Sequence, residues 1–130
     1  MAGKDTESVP DVEFTGRCLC GAVRYWAARV AEVDICYCAD CTRAVGSPVT
    51  VWARFPAEHF QFTRGEPVRF ESSPGITRTF CGRCGTSLSY HYSDGEQVDV
   101  ATATLDHPEE HPPTSEGPGR PRWIGPLTLR

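Results

Sequence analysis

The grouping of the cysteines constrains this chain more than any other feature of the sequence. All seven lie in three short clusters, Cys18-x-Cys20, Cys36-x-Cys38-x-x-Cys41 and Cys81-x-x-Cys84. An odd number of cysteines cannot all form internal disulfides, and closely spaced thiols in a reducing compartment are typical of metal sites. A lone cysteine is usually a small buried hydrophobic residue, but every cysteine here has a neighbour. The sequence therefore predicts metal binding.

The spacing divides these thiols into two sites. The three-cysteine cluster, Cys36, Cys38 and Cys41, is compact enough in sequence to face one ion. The four-cysteine group contains the remaining thiols, Cys18, Cys20, Cys81 and Cys84. A structural zinc has four protein ligands, whereas a catalytic zinc has three and keeps one position open. We therefore expect two zinc sites, one closed and one open. Zinc is favoured because thiolates are soft ligands, and iron is the alternative metal.

Length and charge exclude several classes of protein. The chain has 130 residues, enough for one domain, and its formal net charge is -4. An acidic chain is a poor match for nucleic acid, which binds basic surfaces. No apolar run approaches the roughly 20 residues that span a bilayer, and the N-terminus has no secretory signal. We expect a cytoplasmic protein that binds neither nucleic acid nor membrane, and the sequence predicts no oligomeric state.

The residue pattern predicts a mainly β domain. Apolar and polar residues alternate in AVRYWA (22–27) and VTVWARF (49–55), and Phe60 and Phe62 fall on one face of the stretch that follows. Asp94-Gly95 is a strong signal for a two-residue hairpin. Helix is expected only as a short turn around 39–45 or 56–60. The turn spacing favours packed antiparallel sheets in a sandwich or barrel-like arrangement.

The chain divides into three predicted segments. Residues 1–13 form a polar extension, residues 14–105 form the zinc-binding β domain, and residues 106–130 form a C-terminal arm rich in proline and glycine. We expect the arm to be a loop that docks back on the domain through Trp123. His107 and His111, which lie in this arm, are expected to be solvated.

Three stretches carry a resemblance to a known family. They are GRCLCGAVRY (16–25), CYCADCTRAVGSPVTVWARFP (36–56) and GEPVRFESSPGITRTFCGRCGTSLSY (65–90). Together they resemble the glutathione-dependent formaldehyde-activating family, which includes the centromere protein V group. The resemblance implies a β-tent fold of packed antiparallel sheets stapled by a four-cysteine zinc site. It also implies that the four-cysteine group is structural and that the three-cysteine cluster is catalytic.

The activity implied by the resemblance is that of a carbon–sulfur lyase. Such an enzyme resembles S-(hydroxymethyl)glutathione synthase and adds a small thiol, such as glutathione, to formaldehyde or a related aldehyde. The alternative is a zinc-binding interaction module without catalysis, although the chain lacks the basic runs of a chromatin-binding protein. A methionine sulfoxide reductase type of zinc sheet is less favoured, because it needs a nucleophilic cysteine apart from the metal ligands.

Several other side chains are candidates for roles in the open site. Tyr37, Asp40 and His91 are weak candidates for proton transfer. Arg43, directly after the three-cysteine cluster, can hold a carboxylate with two hydrogen bonds or face solvent. His59 is expected in a surface loop, and Trp52 is expected in the core rather than as a platform for substrate.

Overall fold

The computed structural model describes residues 12–125, and these form two β-sheets and one short α-helix. The strands are β1 Glu13–Arg17, β2 Arg24–Ala28, β3 Glu32–Cys36, β4 Thr50–Pro56, β5 Phe60–Arg64, β6 Val68–Ser73, β7 Ile76–Phe80, β8 Ser87–Tyr92, β9 Gln97–Ala101 and β10 Ser115–Glu116. Helix α1 spans Ala39–Val45, and four single 3₁₀ turns cover Ala57–His59, Thr102–Thr104, Pro108–Glu110 and Arg122–Ile124. The prediction of a mainly β protein with short helical turns is confirmed.

The larger sheet has seven strands in the order β10-β3-β4-β9-β8-β7-β6, and the smaller has three in the order β1-β2-β5. Neighbouring strands are antiparallel except at one edge, where β10 runs parallel to β3. The strands of the larger sheet are therefore antiparallel, as predicted, apart from this one edge pair. The hairpin between β8 and β9 is also wider than expected, because residues 93–96 lie between the two strands.

The core lies between the two sheets. Its largest fully buried side chains include Tyr25 from the smaller sheet and Phe55 and Leu88 from the larger one. Phe60 and Phe62 pack edge to face with ring centroids 5.0 Å apart, which confirms that they share one face of their strand. Trp52 is buried as expected, on the larger sheet, and makes an edge contact of 4.8 Å with the ring of Tyr90.

The segment after Leu105 differs from the loop that the sequence predicts. It continues the larger sheet through β10, and the Thr114 N–H donates to the Val33 carbonyl at 2.7 Å. His111 is buried rather than solvated, with its ring 4.5 Å from that of Phe14. Trp123 does not dock on the domain as expected, because 78% of its surface is exposed.

Two predicted features fall at the ends of the chain. Most of the polar extension, residues 1–13, lies outside the described residues, as does the end of the arm after Gly125. Within residues 12–125 no helix has the length and apolar character required to cross a membrane.

Candidate metal centres and adjoining cavity

The four-cysteine group is assembled from two turns that are far apart in sequence. Cys18 and Cys20 follow strand β1, whereas Cys81 and Cys84 follow strand β7. Their ligand atoms all lie within 4.8 Å of one another. The Sγ atoms of Cys18 and Cys20 are 3.7 Å apart, and those of Cys20 and Cys81 are 3.8 Å apart. The fold thus brings together the four thiols that the sequence grouped.

This sulfur spacing fits a tetrahedral metal site. Zinc–thiolate bonds of about 2.3 Å place the sulfurs of a tetrahedron about 3.8 Å apart. Backbone N–H groups also point at the sulfurs, as is usual around bound thiolates. The Val23 N–H donates to Cys18 Sγ at 3.3 Å, and the Arg83 N–H donates to Cys81 Sγ at 3.3 Å.

The turn that carries Cys81 and Cys84 depends on a glycine and on Thr86. Gly85 has φ +83°, a left-handed conformation that side chains disfavour, and its N–H donates to the Cys81 carbonyl at 2.8 Å. The Thr86 hydroxyl lies 3.1 Å from Cys84 Sγ. The hydrogen bond from this hydroxyl is the largest of the interactions that lower the pKa of the Cys84 thiol to about 5. One thiolate of the group therefore forms readily at neutral pH.

The three-cysteine cluster lies where a strand ends and helix α1 begins. Cys36 is the last residue of β3, and Cys38 caps the helix by accepting a hydrogen bond from the Cys41 N–H at 3.3 Å. Gly46 ends the helix at φ 79°, with its N–H donating to the Thr42 carbonyl. The three sulfurs lie within 4.8 Å of one another, so this group can also hold a metal ion.

Arg78 contacts this cluster, although the sequence analysis did not single it out. It lies in strand β7 and is 8% exposed. Its Nη2 donates to Cys41 Sγ at 3.5 Å, and its Nε donates to Ser72 Oγ at 3.2 Å. The guanidinium carbon is 4.9 Å from the centre of the Tyr90 ring. No local signal in the sequence marks Arg78 for this contact, because Cys41 lies 37 positions away.

Cys41 is the buried member of the cluster. Burial raises the pKa of the Cys41 thiol to about 12, and the guanidinium of Arg78 opposes this shift. A thiol in such a place ionises when positive charge compensates it, as a bound cation does. Three thiolates and a divalent cation carry a net charge of -1, which the single charge of Arg78 balances. The donor set and its surroundings therefore fit a divalent metal.

A cavity of about 460 Å³ adjoins the cluster. This volume is within the ~300–1,000 Å³ range of small-molecule sites. Its walls come from helix α1, from the β6–β7 hairpin and from the segment after Cys84. The lining residues are Asp40, Arg43, Ala44, Phe70, Ser72, Arg78, Thr79, Phe80, Gly85 and Ser87. The lining therefore includes residues next in sequence to both cysteine groups, Asp40 beside Cys41 and Gly85 beside Cys84.

The structure separates the three candidates for proton transfer. Asp40 lines the cavity. Tyr37 is buried, and its hydroxyl donates to Glu116 Oε2 at 2.5 Å, so it contacts the C-terminal segment. His91 follows Tyr90 in strand β8, so the two side chains point to opposite faces of the sheet. His91 lines a second cavity, of about 220 Å³, with Phe60 and Phe62.

The remaining histidines lie away from the three-cysteine cluster. His59 pairs with Glu58 at 3.6 Å, and its ring lies 6.4 Å from that of Trp26. His107 is exposed and pairs with Glu109 at 3.3 Å. His111 is held against Phe14, as described above.

Comparisons with known proteins identify the family. A model of the family described as glutathione-dependent formaldehyde-activating enzyme matches residues 13–117. The chain belongs to this family. An uncharacterized lyase of Schizosaccharomyces pombe is 28% identical over 101 residues, which cover 72% of this chain and 68% of the yeast protein. The predicted resemblance is confirmed.

A solved structure resembles the fold. It is the crystal structure of a Rhodobacter sphaeroides protein, with a TM-score of 0.64 and 21% sequence identity. The match covers 79% of this chain and 99% of that protein. At this identity the likeness concerns the fold alone.

Proposed function

We propose that this protein is a zinc-dependent carbon–sulfur lyase that adds a small thiol, such as glutathione, to formaldehyde or a related aldehyde. Family membership and the naming of the yeast relative as a lyase support the reaction class. The observation that carries the proposal is the convergence of three thiols, rather than four, beside a cavity of small-molecule size. The four-cysteine group is the structural site, and each of the two sites holds one zinc.

The reaction needs no oxidant or reductant. The S–H bond of the thiol and the C=O π bond of the aldehyde break, while a C–S bond and an O–H bond form. Zinc bound by three protein ligands lowers the pKa of a thiol and polarises a carbonyl. The opposite direction releases the aldehyde and the free thiol. Such chemistry requires reduced thiols, consistent with the cytoplasmic location that the sequence predicts.

The protein's own residues have separable roles in this scheme. Cys36, Cys38 and Cys41 hold the metal, and Arg78 orients the Cys41 sulfur through its hydrogen bond. Asp40 is the candidate for proton transfer that lines the cavity. We assign to Asp40 the transfer of the proton from the thiol sulfur to the aldehyde oxygen. The other two candidates are less suitable, because the Tyr37 hydroxyl is hydrogen-bonded to Glu116 and His91 lies on the other face of the sheet.

Exchange spectroscopy tests the proposal, because the thiol and aldehyde also combine without an enzyme. NMR exchange rates between ¹³C-formaldehyde and its glutathione adduct are measured in buffer and with zinc-loaded protein. The matched variants are Cys38→Ala, which removes a proposed catalytic ligand, and His91→Gln, which lies in the second cavity. We expect faster exchange with the native protein and with His91→Gln, and the buffer rate with Cys38→Ala.

Two results separate this proposal from its alternative. Exchange at the buffer rate with fully zinc-loaded native protein contradicts catalysis and favours the zinc-binding interaction module. Equal acceleration by native protein and folded Cys38→Ala contradicts the assignment of the site. Asp40→Asn should bind thiol normally but exchange the adduct more slowly, by about 10²–10⁴-fold for a lost general acid or base.

A further inference from the structure

Strand β6 forms an open edge of the larger sheet. Its inner side pairs with β7, whereas no strand within residues 12–125 pairs with its outer side. Such an edge presents backbone N–H and C=O groups that can pair with a strand of another chain. The opposite edge is strand β10, which has only two residues. Strand β6 is therefore the longer of the two edges.

The side chains of β6 are open to solvent on both faces of the sheet. Val68 and Phe70, on one face, are 42% and 59% exposed. Arg69 and Glu71, on the other face, are exposed as well. Apolar surface in water is unfavourable, and a strand paired at this edge would bury part of it. The edge thus has apolar surface to bury, and no segment within residues 12–125 covers it.

The charges on β6 select which strand fits this edge. When two identical strands pair antiparallel about a two-fold axis, one residue lies opposite itself and its two neighbours lie opposite each other. With Phe70 on the axis, Arg69 of each chain lies opposite Glu71 of the partner subunit, so both pairs join opposite charges. The nearest other registers are centred on Arg69 or on Glu71, and each puts like charges opposite one another, which is destabilising. The strand therefore complements a second copy of itself in one register.

Both charged side chains are available for such contacts. Within residues 12–125 Arg69 forms no ion pair, and its guanidinium carbon lies 5.8 Å from the centre of the Phe62 ring. Glu71 accepts a hydrogen bond from the Gly75 N–H at 3.1 Å, which holds the exposed carboxylate beside its own hairpin. The pairing of β6 with β7 is regular as far as Glu71, so residues 69–71 lie in regular strand.

We propose that two copies of this protein pair through antiparallel contact of their β6 strands, with Phe70 on the two-fold axis. The contact joins the two larger sheets into one and combines an aromatic pair with two reciprocal charge pairs, all of which stabilise paired strands. Phe70 and Ser72 also line the cavity of about 460 Å³. A two-fold axis perpendicular to the sheet leaves both cavities on the same face, so the partner subunit adjoins each cavity at Phe70. The pairing does not depend on the proposed reaction.

Sedimentation velocity of the full, zinc-loaded chain tests this pairing. We expect the native protein to form dimers at concentrations between about 1 μM and about 1 mM. Arg69→Glu and Glu71→Arg each replace both attractive pairs by repulsive ones, so either variant alone should dimerise at least about tenfold more weakly. An equimolar mixture of the two variants should form heterodimers of native strength, because opposite charges then face each other again. Trp123→Lys, which changes an exposed aromatic residue away from β6, should dimerise like the native protein.

Three results overturn the inference. A native protein that stays monomeric over the whole range does not bind a second copy at this edge. Dimers of native strength in both single variants place the contact elsewhere on the protein. A mixture that is as monomeric as its two components contradicts the register. Glu71→Arg loses the hydrogen bond from Gly75, and where it does not fold, Phe70→Lys decides the matter. That variant places like charges on the axis and should abolish the dimer, so dimers of native strength in folded Phe70→Lys also overturn the inference.

Discussion

Replacing Cys20 by serine should destabilise the protein much more than replacing Cys38 by serine. Both residues are exposed, so neither change leaves a buried cavity. The difference lies in what each sulfur joins. Cys20 and Cys81 are 61 positions apart, and the four-cysteine group fixes a turn of the smaller sheet to the larger sheet. Cys36 and Cys41 are five positions apart and close only a local loop.

The magnitude follows from chain entropy and from metal binding to the unfolded state. The loop-closure term, (3/2)RT ln n, differs by about 2 kcal/mol between loops of these two lengths. Three thiols within six residues also bind metal in the unfolded chain, which reduces the stability gained on folding. A structural zinc contributes on the order of 10 kcal/mol, so losing one of four ligands removes roughly 3 kcal/mol. We expect Cys38→Ser to remove less than about 1 kcal/mol.

Urea unfolding of zinc-loaded proteins, followed by far-UV circular dichroism, measures this difference. When the free energy of unfolding falls by about 2 kcal/mol per M urea, a difference of about 2 kcal/mol in stability separates the two urea midpoints by about 1 M. A strong chelator in excess is the matched control, since removing both metals should bring the variants close together. Equal midpoints in the presence of zinc would refute the assignment of the four-cysteine group as the structural site.

Three further predictions follow from particular residues. A mild chelator should remove about one equivalent of zinc, from the three-cysteine cluster, without changing the circular dichroism; loss of both metals together contradicts this. Burial raises the pKa of Tyr25 despite its hydrogen bond to Thr104. The unfolded chain therefore loses this proton first, and stability falls above about pH 10. The urea midpoint should fall less between pH 8 and pH 10.5 in Tyr25→Phe than in the native protein. Burial, and after it the positive charge of Arg69, lowers the pKa of His91 in the folded protein. The unfolded chain therefore binds the extra proton, and stability falls below about pH 6.5. The fall should be smaller in His91→Gln, and an unchanged pH profile in this variant would exclude His91 as its source.

The sequence contains enough information to group the cysteines because metal sites depend on a few residues at short spacings. Cys38 and Cys41 are joined by one helical turn, and Cys81 and Cys84 by one glycine-containing turn, so local structure alone nearly sets each pair. The alternation of apolar and polar residues also predicted which side chains share a buried face of a strand, as for Phe60 and Phe62. These features are local, and local features can be predicted without a fold.

Contacts between distant segments could not be predicted in this way. Arg78 reaches Cys41 across 37 positions, and nothing near Arg78 in the sequence distinguishes it from a solvent-facing arginine on a strand. The burial of His111 depends on Phe14, at the opposite end of the domain. Polar, proline-rich composition predicts a loop, but β10 forms because the edge of β3 offers unpaired backbone groups.

The C-terminal segment therefore contacts the three-cysteine cluster rather than forming a separate arm. Thr114 and Gly117 donate backbone hydrogen bonds to the carbonyls of Val33 and Ile35, which fixes the strand that ends at Cys36. Tyr37 donates to Glu116 from inside the three-cysteine cluster. The family match extends to residue 117 and so includes these contacts. The four-cysteine group joins the two sheets without using this segment, because its ligands follow β1 and β7. The two cysteine groups thus depend on different parts of the chain, and residues of both α1 and the turn after Cys84 line the cavity.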